Sequence, residues 1–387
     1  MKKTFLIAFS FFFGLFLSAQ EIKKHKIVVL TPLYLDSVFD ESGNFMHEKN
    51  AFPRFVIPGL EYYQGTMAAI DSLQKRNAPL EFFIYDSRGT LSIDSILNKK
   101  EIENAEMIIA QTNGPETRTI AEKALAMKIP FISTSYPNDA GVYSNPYFVI
   151  LNSTLQTHVE QIYSFVQKHH EMDNIVVFRK PGAQEDQLKN QLNEYATSNT
   201  GKKINLKYVN IARNFKTADL TNHLDSNKRN VIIAGSLDEN FAMSLLTRLA
   251  TINKTYPIRV IGMPNWERLN YSKFPNLEII YSTPFYYNGP SPLKEQLDEA
   301  YNESISSSPG EMYFRGYETT LRFAFLLLDA KEDLASSLAR KGNTIFTPFD
   351  IQPVVRYSSS MNLDYFENRH LFFIKNIGGS KIILSDY

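Results

Sequence analysis

Between Lys26 and Ser135 the chain alternates short apolar runs with stretches of helical period. That alternation implies parallel strands joined by crossover helices. Lys26–Thr31 is an apolar run with a polar exit. A helix is predicted over Leu60–Lys75, where Tyr63, Met67, Ile70 and Leu73 share a stripe. Leu80–Tyr85 reads as a strand, Ile93–Asn104 as a helix and Met107–Ala110 as a strand. Glu116–Met127 follows as a helix and Pro130–Ser133 as a strand. Sheets of this kind bind ligands beyond the carboxyl ends of their strands. Function is therefore expected in the loops after Leu30, Tyr85, Ala110 and Ser133.

The pattern then repeats. Strand Tyr147–Leu151 leads through Asn152, Ser153 and Thr154, good helix caps, into a helix with Leu155, Val159, Ile162 and Val166 on one face. Further strands are predicted at Asn174–Phe178, Ile204–Asn210, Val231–Ala234, Arg259–Gly262 and Leu277–Ser282. Helices fit Gln184–Ser198, Thr217–Asn227 and Asn240–Ile252, and later Pro292–Ser304 and Tyr313–Ala330. His370–Lys375 and Lys381–Leu384 flank Gly378-Gly379 as a hairpin. A chain of 387 residues exceeds what one core usually supports. Two α/β lobes are expected, with strands crossing between them near Ile150–Ser153, Thr283–Tyr287 and Thr347–Ile351. The division places residues 20–150 and 287–346 in the first lobe, and 151–286 and 347–387 in the second.

Residues 1–19 read as a signal peptide. Lys2 and Lys3 precede an apolar run, Phe5–Leu17, and Ser18-Ala19 offers a cleavage site near Ala19. As a helix that run rises about 20 Å, short of a hydrocarbon core of about 30 Å. The alternative is an uncleaved anchor. The mature chain is expected to have no membrane span and to be periplasmic or secreted. The chain has no cysteine, which excludes disulfides, thiolate metal sites, cysteine nucleophiles and a lipid-modified cysteine. No metal or cofactor is expected. Loss of Lys2 and Lys3 lowers the 41 basic residues to 39 against 41 acidic ones. Without a basic face, nucleic-acid binding is not expected.

Several short segments, in order, carry a resemblance. They are Lys26–Leu33, the Gly59-Leu60-Glu61-Tyr62-Tyr63-Gln64-Gly65 helix start, Phe83-Ile84-Tyr85-Asp86, Gly114-Pro115 and Ile129–Ser133. Arg315-Gly316-Tyr317-Glu318 and Asn368-Arg369-His370 complete the set. Together they resemble the type I periplasmic binding proteins, in the leucine/isoleucine/valine-binding branch. The resemblance implies two Rossmann-like lobes with parallel-sheet cores and a multi-strand hinge. It implies a ligand held first by the first lobe and then covered by the second, and no enzymatic activity.

The positions that match the first lobe's site are Thr112, Asn113, Gly114, Ser133, Thr134, Ser135 and Tyr136. Their chemistry suits a polar solute: glycine permits close backbone approach, the helix starting at Glu116 presents N–H groups to an anion, and hydroxyls both donate and accept. In the second lobe the matching positions are Arg179, Ser236, Asp238, Asn265 and Trp266, with Tyr286 near a crossing. Arg179 is either an anion clamp or a solvated strand-end arginine. Trp266, the only tryptophan, is either an aromatic lid or a packed loop anchor. Asn265 stands about where relatives often place an acidic residue for the ligand's ammonium group, with Asp238 as a substitute. Asp36–Pro58 is a long insertion able to cover the cleft or bind a partner.

The expected function is capture of a small polar solute, an amino acid or related molecule, for an ABC-type importer whose permease would be the partner. The alternative is a cell-envelope sensor or regulator that binds a protein. Ser72-Leu73-Gln74-Lys75 matches Ser-x-x-Lys only inside an amphipathic helix, and His169-His170 cannot share one helix face. No motif supports a hydrolase.

Overall fold

The computed structural model describes residues 23–47, 51–330, 337–339, 342, 344–355 and 362–386. The predicted signal peptide lies outside the described residues. In the first sheet β1 (His25–Thr31) lies between β2 (Leu80–Asp86) and β3 (Met107–Ala110), followed by β4 (Phe131–Ser133) and β5 (Phe148–Ile150), all parallel. The second sheet repeats this design. It places β7 (Lys207–Asn210), β6 (Asn174–Arg179), β8 (Asn230–Ala234), β9 (Ile258–Ile261) and β10 (Glu278–Thr283) side by side and parallel. An antiparallel hairpin, β13 (Phe372–Ile377) and β14 (Ser380–Asp386), completes it. Among the described residues each sheet has seven strands, so the chain forms two α/β lobes of mostly parallel sheet.

Central strands covered on both faces must be apolar throughout. Ile27 to Thr31, Met107 to Ala110 and Val231 to Ala234 are accordingly fully buried. In the first lobe α2 (Ile57–Lys75) and α10 (Glu311–Asp329) cross closely over the sheet. A Cβ on Gly65 would lie 1.8 Å from the Tyr313 carbonyl oxygen, and one on Gly316 2.1 Å from that of Tyr62. Only glycine admits that backbone contact. The same crossing carries hydroxyl pairs Tyr62–Thr319 at 2.8 Å and Thr320–Thr66 at 3.2 Å.

Three expected elements are shorter than the sequence pattern suggests. The helix from Ile93 stops at Leu97 (α3, Ile93–Leu97), where Asn98 N–H bonds back to Asp94 and Ile96, and a 3-10 turn takes up Lys100–Ile102. The helix from Thr217 stops at Thr221 (α7, Thr217–Thr221). Beyond it the Asn230 amide organises the return loop, accepting from Asp225 N–H and donating to the Asp225 and Lys228 carbonyls. The strand expected from Ile204 begins only at Lys207.

The expected division at residue 347 is corrected. β11 (Ile351–Val354) and β12 (Tyr365–Asn368) belong to the first sheet: Phe366 and Glu367 pair in parallel with Val149 and Ile150 of β5. The third crossing therefore falls between Asn368 and Phe372, not at Thr347–Ile351. The reason is visible at Glu367, a charged residue in a strand and only 2% exposed. Its carboxylate accepts from Thr154 N–H at 2.7 Å and the Thr157 hydroxyl at 2.6 Å, which makes its burial tolerable and breaks the apolar pattern that would have revealed the strand. Ser153 donates to the Asn368 carbonyl at 2.6 Å, and Asn368 Nδ2 to that of Leu151 at 3.2 Å, so two crossings are tied together.

Candidate functional site

The carboxyl ends of the parallel strands define one functional edge in each lobe. α2 starts at that edge of the first lobe, since a Cβ on Gly59 would lie 1.9 Å from the carbonyl oxygen of Pro32, just after β1. α10 runs beside α2 in the same direction: Tyr62 meets Gly316 and Thr319, Thr66 meets Thr320, and Arg76 lies over Phe325. Its first turn, with Glu311 and Arg315, is therefore at the functional edge too. Glu61 of α2 joins them, accepting from Gly310 N–H; burial holds its carboxyl above the usual range, reinforced by Glu311.

From the second lobe, the 3-10 turn Pro264–Arg268 after β9 carries Glu267 to this place. Burial pushes the Glu267 carboxyl up, the Glu311 charge adds to the rise, and Arg315 opposes it. Groups of the two lobes thus share one electrostatic environment. The Thr283 hydroxyl donates to Glu267 at 3.4 Å from the end of β10. The Arg315 guanidinium lies 3.6 Å from the Phe285 ring centre, inside the crossing that follows β10. No ion pair joins Arg315 to a described carboxylate, and its buried Nε has no hydrogen-bond partner.

The expected first-lobe loops are adjacent, as the strand order requires. The anion site expected at the start of α4 (Gly114–Met127) is, however, occupied by the chain itself. Asn113 Oδ1 accepts from Glu116 N–H at 3.1 Å, Glu116 returns the bond to Asn113 N–H at 3.0 Å, and Pro115 has no N–H to give. Arg88 pairs with Glu116 at 3.1 Å. Thr112 and Thr117 share a hydroxyl contact of 2.7 Å. Tyr136 packs over Gly114, where a Cβ would lie 2.7 Å from its hydroxyl. Ser133 and Thr134 are fully buried; the Thr134 hydroxyl donates to Ala110 at 3.1 Å and Ser133 Oγ has no partner. The Ser135 carbonyl accepts from Asn152 Nδ2 at 2.6 Å, next to the first crossing.

In the second-lobe loops the charged groups pair with one another, while Arg179 Nε, Asn265 Oδ1 and Trp266 Nε1 are buried without a hydrogen-bond partner. Arg179 is 4% exposed and bridged to Asp186, so it is a buried, ion-paired arginine and not a solvated one. Ser236 donates to Glu185 at 2.6 Å. Asp238 caps α8 (Glu239–Ile252) through Asn240 and Phe241 N–H and pairs with Lys180 at 2.5 Å. Lys180 holds the Asp238 carboxyl below the usual range. Asn265 Nδ2 donates to the Leu237 carbonyl at 2.8 Å. Trp266 is fully buried in the second core, its ring against Gly262, where a Cβ would lie 2.2 Å away. It is a packed anchor and not a lid. Tyr286 is half-buried against Phe372.

No family model matches the sequence, and no curated protein matches it either. Solved structures match along nearly its whole length. One is an ABC transporter substrate-binding protein from Desulfitobacterium hafniense in complex with leucine, at TM-score 0.60 and 12% identity, covering 94% of this chain and 100% of that one. Another is a branched-chain amino acid ABC transporter periplasmic ligand-binding protein from Burkholderia xenovorans, at TM-score 0.61 and 11% identity over 94% and 95% of the two chains. A third is the leucine-, isoleucine-, valine-, threonine- and alanine-binding protein from Brucella ovis, in a closed conformation, at TM-score 0.58 and 11% identity over 94% and 95%. The chain has the type I periplasmic binding protein fold.

Within that type I fold, sequence reasoning missed Glu61, Glu267, Glu311 and Arg315. Glu267 adjoins Trp266 in a loop already singled out, so its position after β9 was a usable signal. Arg315 was quoted only for the resemblance; it lies inside a helix, and nothing but the parallel packing of α10 on α2 reveals which end reaches the edge. Among the described residues no cluster of side chains is suited to hold a metal ion, and no helix is long and apolar enough to cross a membrane.

Proposed function

We propose that this protein is a solute-binding protein, exported by its N-terminal leader, that captures a small polar molecule between its lobes and serves an ABC-type importer. It is read as a binder and not an enzyme. The observation that carries this is the meeting of Glu267, from one lobe, with Arg315, from the other, at the Thr283–Tyr287 crossing: Glu267 accepts from the Thr283 hydroxyl at 3.4 Å, and the Arg315 guanidinium lies 3.6 Å from the Phe285 ring centre. Charged groups from both lobes that form no ion pair offer complementary charge to a polar guest. A ligand that contacts both lobes favours the closed form by its differential affinity for it. The similarity to amino-acid-binding proteins supports an amino acid or related solute. Candidate contacts are Ser135, Tyr136, Gly114 and Tyr286 at the loop ends, with Ser133 and Thr134 supporting them from below.

The test is mass spectrometry of the mature protein under native and then denaturing conditions, followed by small-angle scattering with the molecule released. A bound small molecule whose return compacts the protein is the expected result. An empty protein that no metabolite compacts would sink the proposal.

A second reading, a receptor for a protein partner, draws on the insertion between β1 and α2. There Met46, Phe52 and Phe55 are 50%, 42% and 53% exposed, around a Phe39–Phe45–Phe52 ring cluster. It predicts that replacing Phe52 and Phe55 by serine abolishes capture of an envelope protein while the fold survives.

A further inference from the structure

The strand-end loops leave an electrostatic question. An anionic group entering this cleft would, by the usual logic of helix ends, be sought by the N-terminus of α4. That terminus is closed by the reciprocal Asn113–Glu116 cap, by Pro115 and by the Glu116 carboxylate itself, which Arg88 holds in place. Of the cations in the second-lobe loops, Arg179 is bridged to Asp186, and Lys180 to Asp238 and Glu185. Arg315 is different. Its guanidinium lies 3.6 Å from the Phe285 ring centre and donates to the neutral Tyr287 hydroxyl, its buried Nε has no hydrogen-bond partner, as at Arg179, and no described carboxylate forms an ion pair with it. Glu61 is engaged by Gly310 N–H and Glu267 by the Thr283 hydroxyl.

We infer that Arg315 is the anion receptor of the cleft, and that it takes the carboxylate of the bound solute. The inference rests on the solute-binding reading and adds the residue that sets ligand charge. A guanidinium immobilised on an aromatic face presents a planar fork, which matches a carboxylate in two parallel hydrogen bonds. Glu61, Glu267 and Glu311 outnumber Arg315 and Lys381, the cations that act on Glu267. A dianionic phosphate is disfavoured there, whereas a carboxylate that carries its own positive group is matched: the carboxylate meets Arg315 from the first lobe, and the cation meets Glu267 from the second. Arg315 lies on α10 and Glu267 on the turn after β9, so such a ligand bridges the lobes.

The experiment compares wild type with Arg315→Gln and Arg315→Lys by calorimetric titration with the protein amino acids, succinate, inorganic phosphate and, for each amino acid that binds, its carboxamide. Thermal unfolding checks that each variant is folded. Wild type should bind a carboxylate probe and reject its carboxamide. Arg315→Gln should weaken the carboxylate about 10- to 100-fold, the loss expected for a charge-assisted hydrogen bond, and should erase the discrimination against the carboxamide. Arg315→Lys should restore part of both. A merely structural arginine would lower stability and leave the discrimination intact. Carboxylate affinity within about threefold of wild type in folded Arg315→Gln overturns this assignment and leaves the cleft a solute site. Preference for phosphate overturns it as well. If no probe binds wild type, this inference falls, and the solute-binding reading is decided by the mass spectrometry and scattering test alone.

Discussion

Lys180 and Arg315 are both cations at the functional edges, one in each lobe, and their surroundings are opposite. Lys180 has Asp238 at 2.5 Å and Glu185 at 3.7 Å, and the Asp238 hydrogen bond raises its pKa. Arg315 has an aromatic ring beneath it, carboxylates in the vicinity and no ion pair. The second-lobe cluster is closed in its charges: Arg179 pairs with Asp186, Lys180 with Asp238 and Glu185, and Ser236 bonds Glu185, although Arg179 Nε has no hydrogen-bond partner. The cluster around Arg315 is open. The difference teaches where to look for a binding group on this fold. A charge whose counter-ion is supplied by the chain supports a loop, and one that has only neutral contacts, as Arg315 has with Phe285 and Tyr287, is available to a guest anion.

The largest effect should come from a residue wholly partnered by the chain. Trp266→Ala removes a fully buried ring from the second core and should cost about 3–5 kcal/mol in urea unfolding. A loss below about 1 kcal/mol would return Trp266 to the role of a lid. Next is Glu318, fully buried on α10, which accepts from Phe346 N–H, Thr347 N–H, the Thr347 hydroxyl and the Tyr287 hydroxyl. Glu318→Ala orphans these donors and should cost about 3 kcal/mol, with Glu318→Gln milder because one oxygen remains. Equal losses in both variants would show that charge, not hydrogen bonding, is what the site needs.

The pH response should separate the open set from the closed one by sign. The Asp238 carboxyl is depressed by Lys180, so its contribution is present above its usual value near 3.8 and lost as pH falls below it. The Glu267 carboxyl is raised by burial, so ionising it opposes folding, and stability declines as pH rises from about 4.5. Unfolding midpoints recorded against pH should therefore show a steeper acid limb for wild type than for Asp238→Asn. Glu267→Gln should instead be level with or above wild type near pH 7. Matching profiles for the two variants would remove the distinction. The smallest effect belongs to Lys180→Ala, at most about 1 kcal/mol for a partly exposed pair. Arg315→Gln should stay within about the same bound while its ligand affinity collapses.

Much of this was legible in the sequence for one physical reason: a parallel sheet buried on both faces demands uninterrupted apolar runs, and helices over it demand a 3.6-residue stripe. Those constraints are local, so Ile27–Thr31, Met107–Ala110 and Val231–Ala234 announced themselves. β12 escaped because Glu367 is held inside by Thr154 and Thr157, more than 200 positions earlier in the chain. The helix cap at Asn113 and Glu116 was readable as spacing, but whether it left a free anion site depended on both side chains turning inward. Arg179, Ser236 and Asp238 were rightly placed at strand ends. Their partners, Asp186, Glu185 and Lys180, come from a neighbouring loop and the first turn of α6 (Ala183–Ser198), so self-pairing was invisible in one dimension.

By itself the sequence determined the alternation of elements, the two lobes and the absence of cysteine chemistry, because each follows from periodicity or composition. Tertiary structure alone decided which charges meet. Burial lets one carboxylate be satisfied by backbone N–H groups and another remain unpaired, and both depend on contacts between residues far apart in the chain. That is why Trp266 became core, Arg179 became a brace, and Arg315, inconspicuous within a helical stretch, emerged at the meeting of the lobes.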